Sequence, residues 1–133
     1  MGDHFLFVYG TLRADFDGPM ARRLRSEARL VGPATAHGTL YRIAEYPGFV
    51  SEGDGTVAGD LFALDDAEAT LAWLDDYEEC SGRFPAPHEY CREWMTVDGP
   101  DGEVMAWVYV YAWDVAGREQ IADGDFLAGG RGG

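Results

Sequence analysis

Cysteine, basic residues and long apolar runs are all scarce in this chain. Its two cysteines are Cys80 and Cys91. They form no CxxC pair, and reduced thiols in the cytoplasm are the expectation. No window approaches the roughly 18 to 20 apolar residues that span a bilayer. The start, Met1 to Tyr9, lacks the basic region and apolar run of a signal peptide, and Leu6 stands where a myristoylation signal wants Ser or Thr. The three histidines, His4, His37 and His88, are scattered and no HExxH occurs, so no metal is expected. Lys and Arg number 10 against 24 Asp and Glu, a formal net charge of -14. A field of that sign repels phosphate backbones and anionic headgroups, so neither nucleic acid nor membrane is an expected partner.

What is present is ordinary globular material. With 133 residues, 47% of them hydrophobic and 14% aromatic, the chain suits one folded domain with a real core. Phe5 to Tyr9 is a short apolar and aromatic run stopped by Gly10, which predicts a buried strand ending in a tight turn. Gly18-Pro19 opens a helical segment that includes Leu24 and Ala28. Ala34 to Ile43 and Val57 to Leu64 read as strands, with turn chemistry at Tyr46-Pro47-Gly48. Asp65 and Glu68 have capping-box spacing ahead of Ala67, Leu71 and Leu74, which predicts a helix from about Asp66 to Tyr77 or a little beyond. Tyr90 to Val97 and Val104 to Trp113 flank an Asp-Gly-Pro-Asp-Gly turn and predict a hairpin whose second strand can be covered on both faces. Several strands and two clear helices predict an α+β fold, a small mixed β-barrel with flanking helices. The expected domain is 1–128, with a Gly-rich, mobile tail at 129–133.

Function has to be sought by position. On a helical wheel Glu78 falls in line with Ala67, Leu71 and Leu74, while Asp75, Asp76 and Glu79 fall to either side. A carboxylate aimed at an apolar interior loses hydration, which raises its pKa toward the range of a general base. The same residue also reads as a Glu at a frayed helix end, paired with Arg83 or Arg92 or in water, and periodicity does not decide between them. At Tyr9-Gly10-Thr11-Leu12 a strand ends at a glycine, where successive backbone N–H groups can converge on an anion; an ordinary bend fits the same residues. Tyr109 and Tyr111 suit a pocket wall with hydroxyl donors, or plain core. Other schemes are missing. There is no Gly-x-Ser-x-Gly elbow, neither Cys has an activating context, and no phosphate-loop or dinucleotide pattern occurs.

Taken jointly, Val8-Tyr9-Gly10-Thr11-Leu12 and Leu74-Asp75-Asp76-Tyr77-Glu78 resemble the γ-glutamylcyclotransferase-like family, which includes γ-glutamylamine cyclotransferases and plant avirulence-induced-gene-like proteins. The order of the minor motifs agrees: Gly38-Thr39-Leu40-Tyr41, Tyr46-Pro47-Gly48, Val57-Ala58-Gly59, Tyr90-Cys91-Arg92 and Ile121 to Phe126. The resemblance runs from Phe5 to about Leu127. It implies a barrel with outer helices and a cavity at one end, and release of 5-oxoproline from a small-molecule γ-glutamyl compound without a cofactor. Carried over, the backbone of Tyr9, Gly10, Thr11 and Leu12 binds the substrate's α-carboxylate and Glu78 is the acid/base residue. Tyr90 matches the Tyr that follows the catalytic Glu, and Tyr109 a late pocket Tyr. Glu79 stands where the family usually has Gly, which leaves the substrate open. Two rivals remain: a γ-glutamyl group removed from a larger biosynthetic intermediate or crosslink, and a silent small-molecule binder on the same fold. Oligomeric state is not legible.

Overall fold

Alternation of side chains along the strands explains how one short chain covers both faces of its sheet. The structure, a computed structural model, describes residues 4–9, 19–43, 47–53, 55–78 and 87–121. The expected tail at 129–133 lies outside them. In chain order the elements are β1 (His4–Val8), α1 (Pro19–Glu27), β2 (Ala28–His37), β3 (Thr39–Arg42), β4 (Pro47–Val50), β5 (Thr56–Leu64), α2 (Ala67–Tyr77), β6 (Tyr90–Gly99), β7 (Gly102–Tyr111) and β8 (Glu119–Gln120). Five strands close a barrel in the order β1-β5-β2-β6-β7, and the others make a sheet of order β4-β3-β8. The barrel closes through a parallel pairing of β1 with β7, Leu6 lying opposite Trp107. β2 is laddered to β5 along its length but meets β6 at one pair, Thr35 with Asp98.

The core has two layers. Phe7, Ala36, Val57, Leu61, Val97, Ala106 and Val108 fill the barrel. Leu6, Val8, Phe62, Leu64, Tyr109 and Tyr111 point the other way and bury Leu24 of α1 with Leu71 and Leu74 of α2. This is the period-2 pattern that makes β1 a nearly continuous apolar run. Each large apolar side chain withdrawn from water this way contributes about 1.5 to 3 kcal/mol.

The α+β barrel with outer helices is as expected, and so are the hairpin of β6 and β7 and the helix α2. Details differ. The strand expected over Ala34 to Ile43 begins earlier, at Ala28, and is cut at Gly38. Gly38 has φ of +155°, and a Cβ there would lie 2.3 Å from the Val50 carbonyl oxygen. The chain corners here because only glycine fits. Pro47 and Gly48, expected in a turn, are in β4, while Tyr46 lies outside the described residues. The cap of α2 is Asp66 and not Asp65: its Oδ1 accepts the Ala69 N–H at 3.2 Å. β7 ends at Tyr111, leaving Trp113 exposed.

A polar joint ties the two helices. Glu27, the last residue of α1, accepts from the Trp73 indole at 2.8 Å and the Thr70 hydroxyl at 2.9 Å, and Arg23 donates to its other oxygen at 3.2 Å. The Trp73 bond, helped by Thr70 and Arg23 and opposed by partial burial, holds the Glu27 carboxyl below its ordinary value. A depressed carboxyl favours the folded state above its unfolded pKa of about 4.3, and that contribution is lost as pH falls through the folded value. Glu27→Gln is therefore expected to lower the Tm at neutral pH, with the gap from wild type narrowing below about pH 4. Thermal melts across pH check this; a gap that does not change with pH would contradict it.

Candidate active site

The candidate site draws on the end of one helix and the end of one strand. Along α2 the buried residues Thr70, Leu71 and Leu74 face the barrel. Glu78 follows Leu74 by four positions and continues that stripe. It is the C-cap of α2, half-buried, and its backbone N–H donates to the Leu74 carbonyl at 2.8 Å. The last turn of α2 has no basic residue. A carboxylate at the negative end of a helix dipole costs about 0.3 to 1 kcal/mol, so Glu78 is not placed there for the helix's sake.

β1 leads directly into Tyr9. Tyr9 is buried inside the barrel beside Phe49, with ring centroids 5.6 Å apart. Its hydroxyl donates to the Tyr109 carbonyl at 2.5 Å and accepts the Phe49 N–H at 3.3 Å. Burial pushes the Tyr9 phenol well above its ordinary value; the negative charge of Glu78 pushes it further, and the Phe49 N–H pulls back. The charge of Glu78 is thus felt at the Tyr9 phenol. Gly10, Thr11, Leu12 and Glu79 lie outside the described residues, as does Arg83.

The other two expected residues are placed less directly. Tyr109 points out of the barrel beneath α2, and its hydroxyl donates to Asp75 Oδ1 at 2.7 Å. Tyr90 is buried against Tyr111, with centroids 5.4 Å apart, and donates to the Pro47 carbonyl at 2.7 Å. All three tyrosines have committed their hydroxyl protons within the protein. Tyr111 has its phenol raised by burial, then by the charge of Glu89, with Arg118 opposing.

Asp75 and Arg92 were not singled out as site residues from the sequence. Arg92 Nε and Nη2 reach Asp75 Oδ1 and Oδ2 at 2.8 and 3.0 Å, a two-point fork. The guanidinium also stacks on Trp107 at 4.4 Å. The sequence offered Arg92 as a partner for Glu78 and within the Tyr90-Cys91-Arg92 motif, and Asp75 within the motif that ends at Glu78, but not the pair that the two make. Beside this network opens a cleft of about 400 Å³ lined by Asp75, His88, Cys91, Arg92 and Trp107. Among the described residues no group of three or more His, Cys, Asp or Glu is placed to hold a metal ion, and no helix is long and apolar enough to cross a membrane.

Residues 6–128 match the family described as gamma-glutamyl cyclotransferase, AIG2-like. Among solved structures the fold is similar to that of YkqA from Bacillus subtilis, at 21% identity and a TM-score of 0.70. That match covers 96% of this chain, and the chain spans 42% of the length of YkqA. Protein ytfP from Escherichia coli is 35% identical with a TM-score of 0.66, covering 92% of this chain and 96% of ytfP. An AIG2-like protein from Mus musculus is 26% identical with a TM-score of 0.66, covering 84% of this chain and 79% of its own. No curated protein matches the sequence.

Proposed function

Because the chain belongs to the gamma-glutamyl cyclotransferase, AIG2-like family, we propose that it releases 5-oxoproline from a γ-glutamyl amine or amide, with Glu78 as base and then acid. What supports this reading is the family match over residues 6–128, together with the charge of Glu78, the cap of α2, being felt at the Tyr9 phenol just past β1.

The chemistry needs little else. In a γ-glutamyl group the α-nitrogen lies within reach of the γ-carbonyl, and attack closes a five-membered lactam. The protein's main task is to enforce the bent geometry. The α-ammonium first gives a proton to the Glu78 carboxylate. The freed amine attacks the γ-carbon, and Glu78 gives its proton to the leaving nitrogen as the bond from that carbon breaks. It then takes the second proton, which the ring nitrogen sheds in becoming the lactam N–H, and passes it to the released amine, which departs as an ammonium. No water is consumed. The backbone N–H groups of Tyr9 to Leu12 hold the α-carboxylate and so place the amine beside Glu78. The buried Tyr9 phenol, kept neutral by burial and by the Glu78 charge, adds no competing anion. Tyr90 and Tyr109 shape the wall through their rings and lone pairs.

The test is direct. Purified protein is incubated with a panel of γ-glutamyl amino acids and γ-glutamylamines, and 5-oxoproline is measured. Turnover of at least one member is expected. Tight binding of 5-oxoproline or glutamate-like compounds without product from any member would replace the enzyme with a binding protein.

A further inference from the structure

A helix end is where backbone hydrogen bonds run out and the chain frays. The last turn of α2 and its cap carry Asp75, Asp76 and Glu78, like charges gathered at the negative pole of the helix with no basic residue in that turn. Something from another element has to hold this turn if Glu78 is to keep one position.

Arg92 of β6 supplies the opposing charge. Its fork grips both oxygens of Asp75, and Tyr109 of β7 donates to one of them at 2.7 Å. The side chains of Asp75 and Arg92 are 21% and 26% exposed, and Trp107 covers one face of the guanidinium. A pair withdrawn from water to this degree, two-pronged and supported by a third hydrogen bond, holds its geometry far better than a surface ion pair. Tyr109 then links the clamp to the rest of the site. Its hydroxyl binds Asp75 on α2, and its carbonyl accepts from Tyr9 at the end of β1. The contacts run from Asp75, one turn of helix before Glu78, across to Tyr109 and on to Tyr9, whose phenol feels the Glu78 charge.

We propose that Asp75 is a positioning residue for Glu78: clamped by Arg92 and Tyr109, it fixes the last turn of α2 so that the Glu78 carboxylate keeps one position at the helix end. Its catalytic consequence rests on the reading of Glu78 as the acid/base group. Its structural content does not.

The other end of α2 provides the control. Glu27 binds Thr70 and Trp73 there and touches neither Asp75 nor Tyr9 in the network just described. Asp75→Asn keeps the size of the side chain and an acceptor for Tyr109 but turns an amide donor toward the guanidinium. It is expected to lower kcat by about 10- to 100-fold, the size of effect that a misplacement of about 1 Å produces, with KM little changed. Glu27→Gln is expected to lower the Tm comparably and leave kcat alone. Arg92→Lys, which keeps the charge and loses the fork, should fall between wild type and Asp75→Asn, and it serves if Asp75→Asn does not fold.

A second readout needs no turnover. With tyrosines labelled at the ring carbon that bears the hydroxyl, the Tyr9 NMR signal should move in Glu78→Gln, move in the same direction in Asp75→Asn, and stay put in Glu27→Gln. The proposal is overturned if the Tyr9 signal of Asp75→Asn matches wild type, or if its kcat falls no further than that of Glu27→Gln. Should the wild type release no 5-oxoproline from any panel member, the cyclotransferase reading fails, and the Tyr9 signal alone decides the role of Asp75.

Discussion

Glu78→Gln is expected to fold like the wild type and to release 5-oxoproline at least about 100-fold more slowly, the usual cost of removing a general acid/base group. The two forms have the same shape, and an amide takes no proton from an ammonium. The substitution also removes a negative charge from the C-terminal end of α2, where the helix dipole disfavours it. Circular dichroism and a melt establish the fold, and a rate assay on the best panel substrate establishes the loss. A folded Glu78→Gln protein that keeps the wild-type rate would remove Glu78 from the mechanism. Glu78→Asp gives a finer view, because it keeps the acid but draws it back by one methylene; an intermediate rate is expected from misplacement alone.

The second large effect is on stability. At Gly59 of β5 a Cβ would lie 2.2 Å from the Val8 carbonyl oxygen and 2.8 and 2.9 Å from atoms of the Phe7 ring. Phe7 is almost fully buried inside the barrel, and Val8 O belongs to the backbone of β1, paired in register with β5. A ring can tilt, but a laddered carbonyl cannot move without parting two strands. Gly59→Ala is therefore expected at the upper end of overpacking costs, about 3 kcal/mol, which for a chain of this size lowers the Tm by about 10 °C. Phe7→Leu added to Gly59→Ala should recover only part of the loss, because the carbonyl clash remains. The end of β1 also carries Tyr9, so activity should drop in Gly59→Ala even at temperatures where it stays folded. A melt within two degrees of wild type would show that β1 has room the geometry denies.

These residues also show what the sequence could reveal. The β6–β7 hairpin was legible because alternation and turn chemistry are local properties. α2 was legible from its 3.6-residue period, and the same wheel carried Glu78 along with Leu71 and Leu74. The cut at Gly38 was not, because what forbids a side chain there is Val50 O, brought close by the pairing of β3 with β4. The cap of α2 fell one residue from its expected place because two adjacent aspartates, Asp65 and Asp66, offer the same chemistry. Asp75 was set aside for falling off the apolar stripe. Its partners come from β6 and β7, whose placement under α2 depends on barrel closure and not on any window of sequence. Tyr109 was singled out, but as a pocket donor; the hydrogen of its hydroxyl is given to Asp75 instead.

One border of the barrel differs from the rest. Where β2 meets β6 the ladder amounts to Thr35 and Asp98, so side-chain packing and not backbone pairing keeps that wall shut. Local opening takes the path of fewest broken bonds, and here that path runs along the β2–β6 border. Tyr9 directly follows β1, which is paired with β5 from His4 to Val8 and with β7 at Phe5 and Leu6, and Glu78 caps a helix fastened from β7 and β6. That flank is where the barrel gives first, while the strand leading into Tyr9 stays paired to β5 along its whole length.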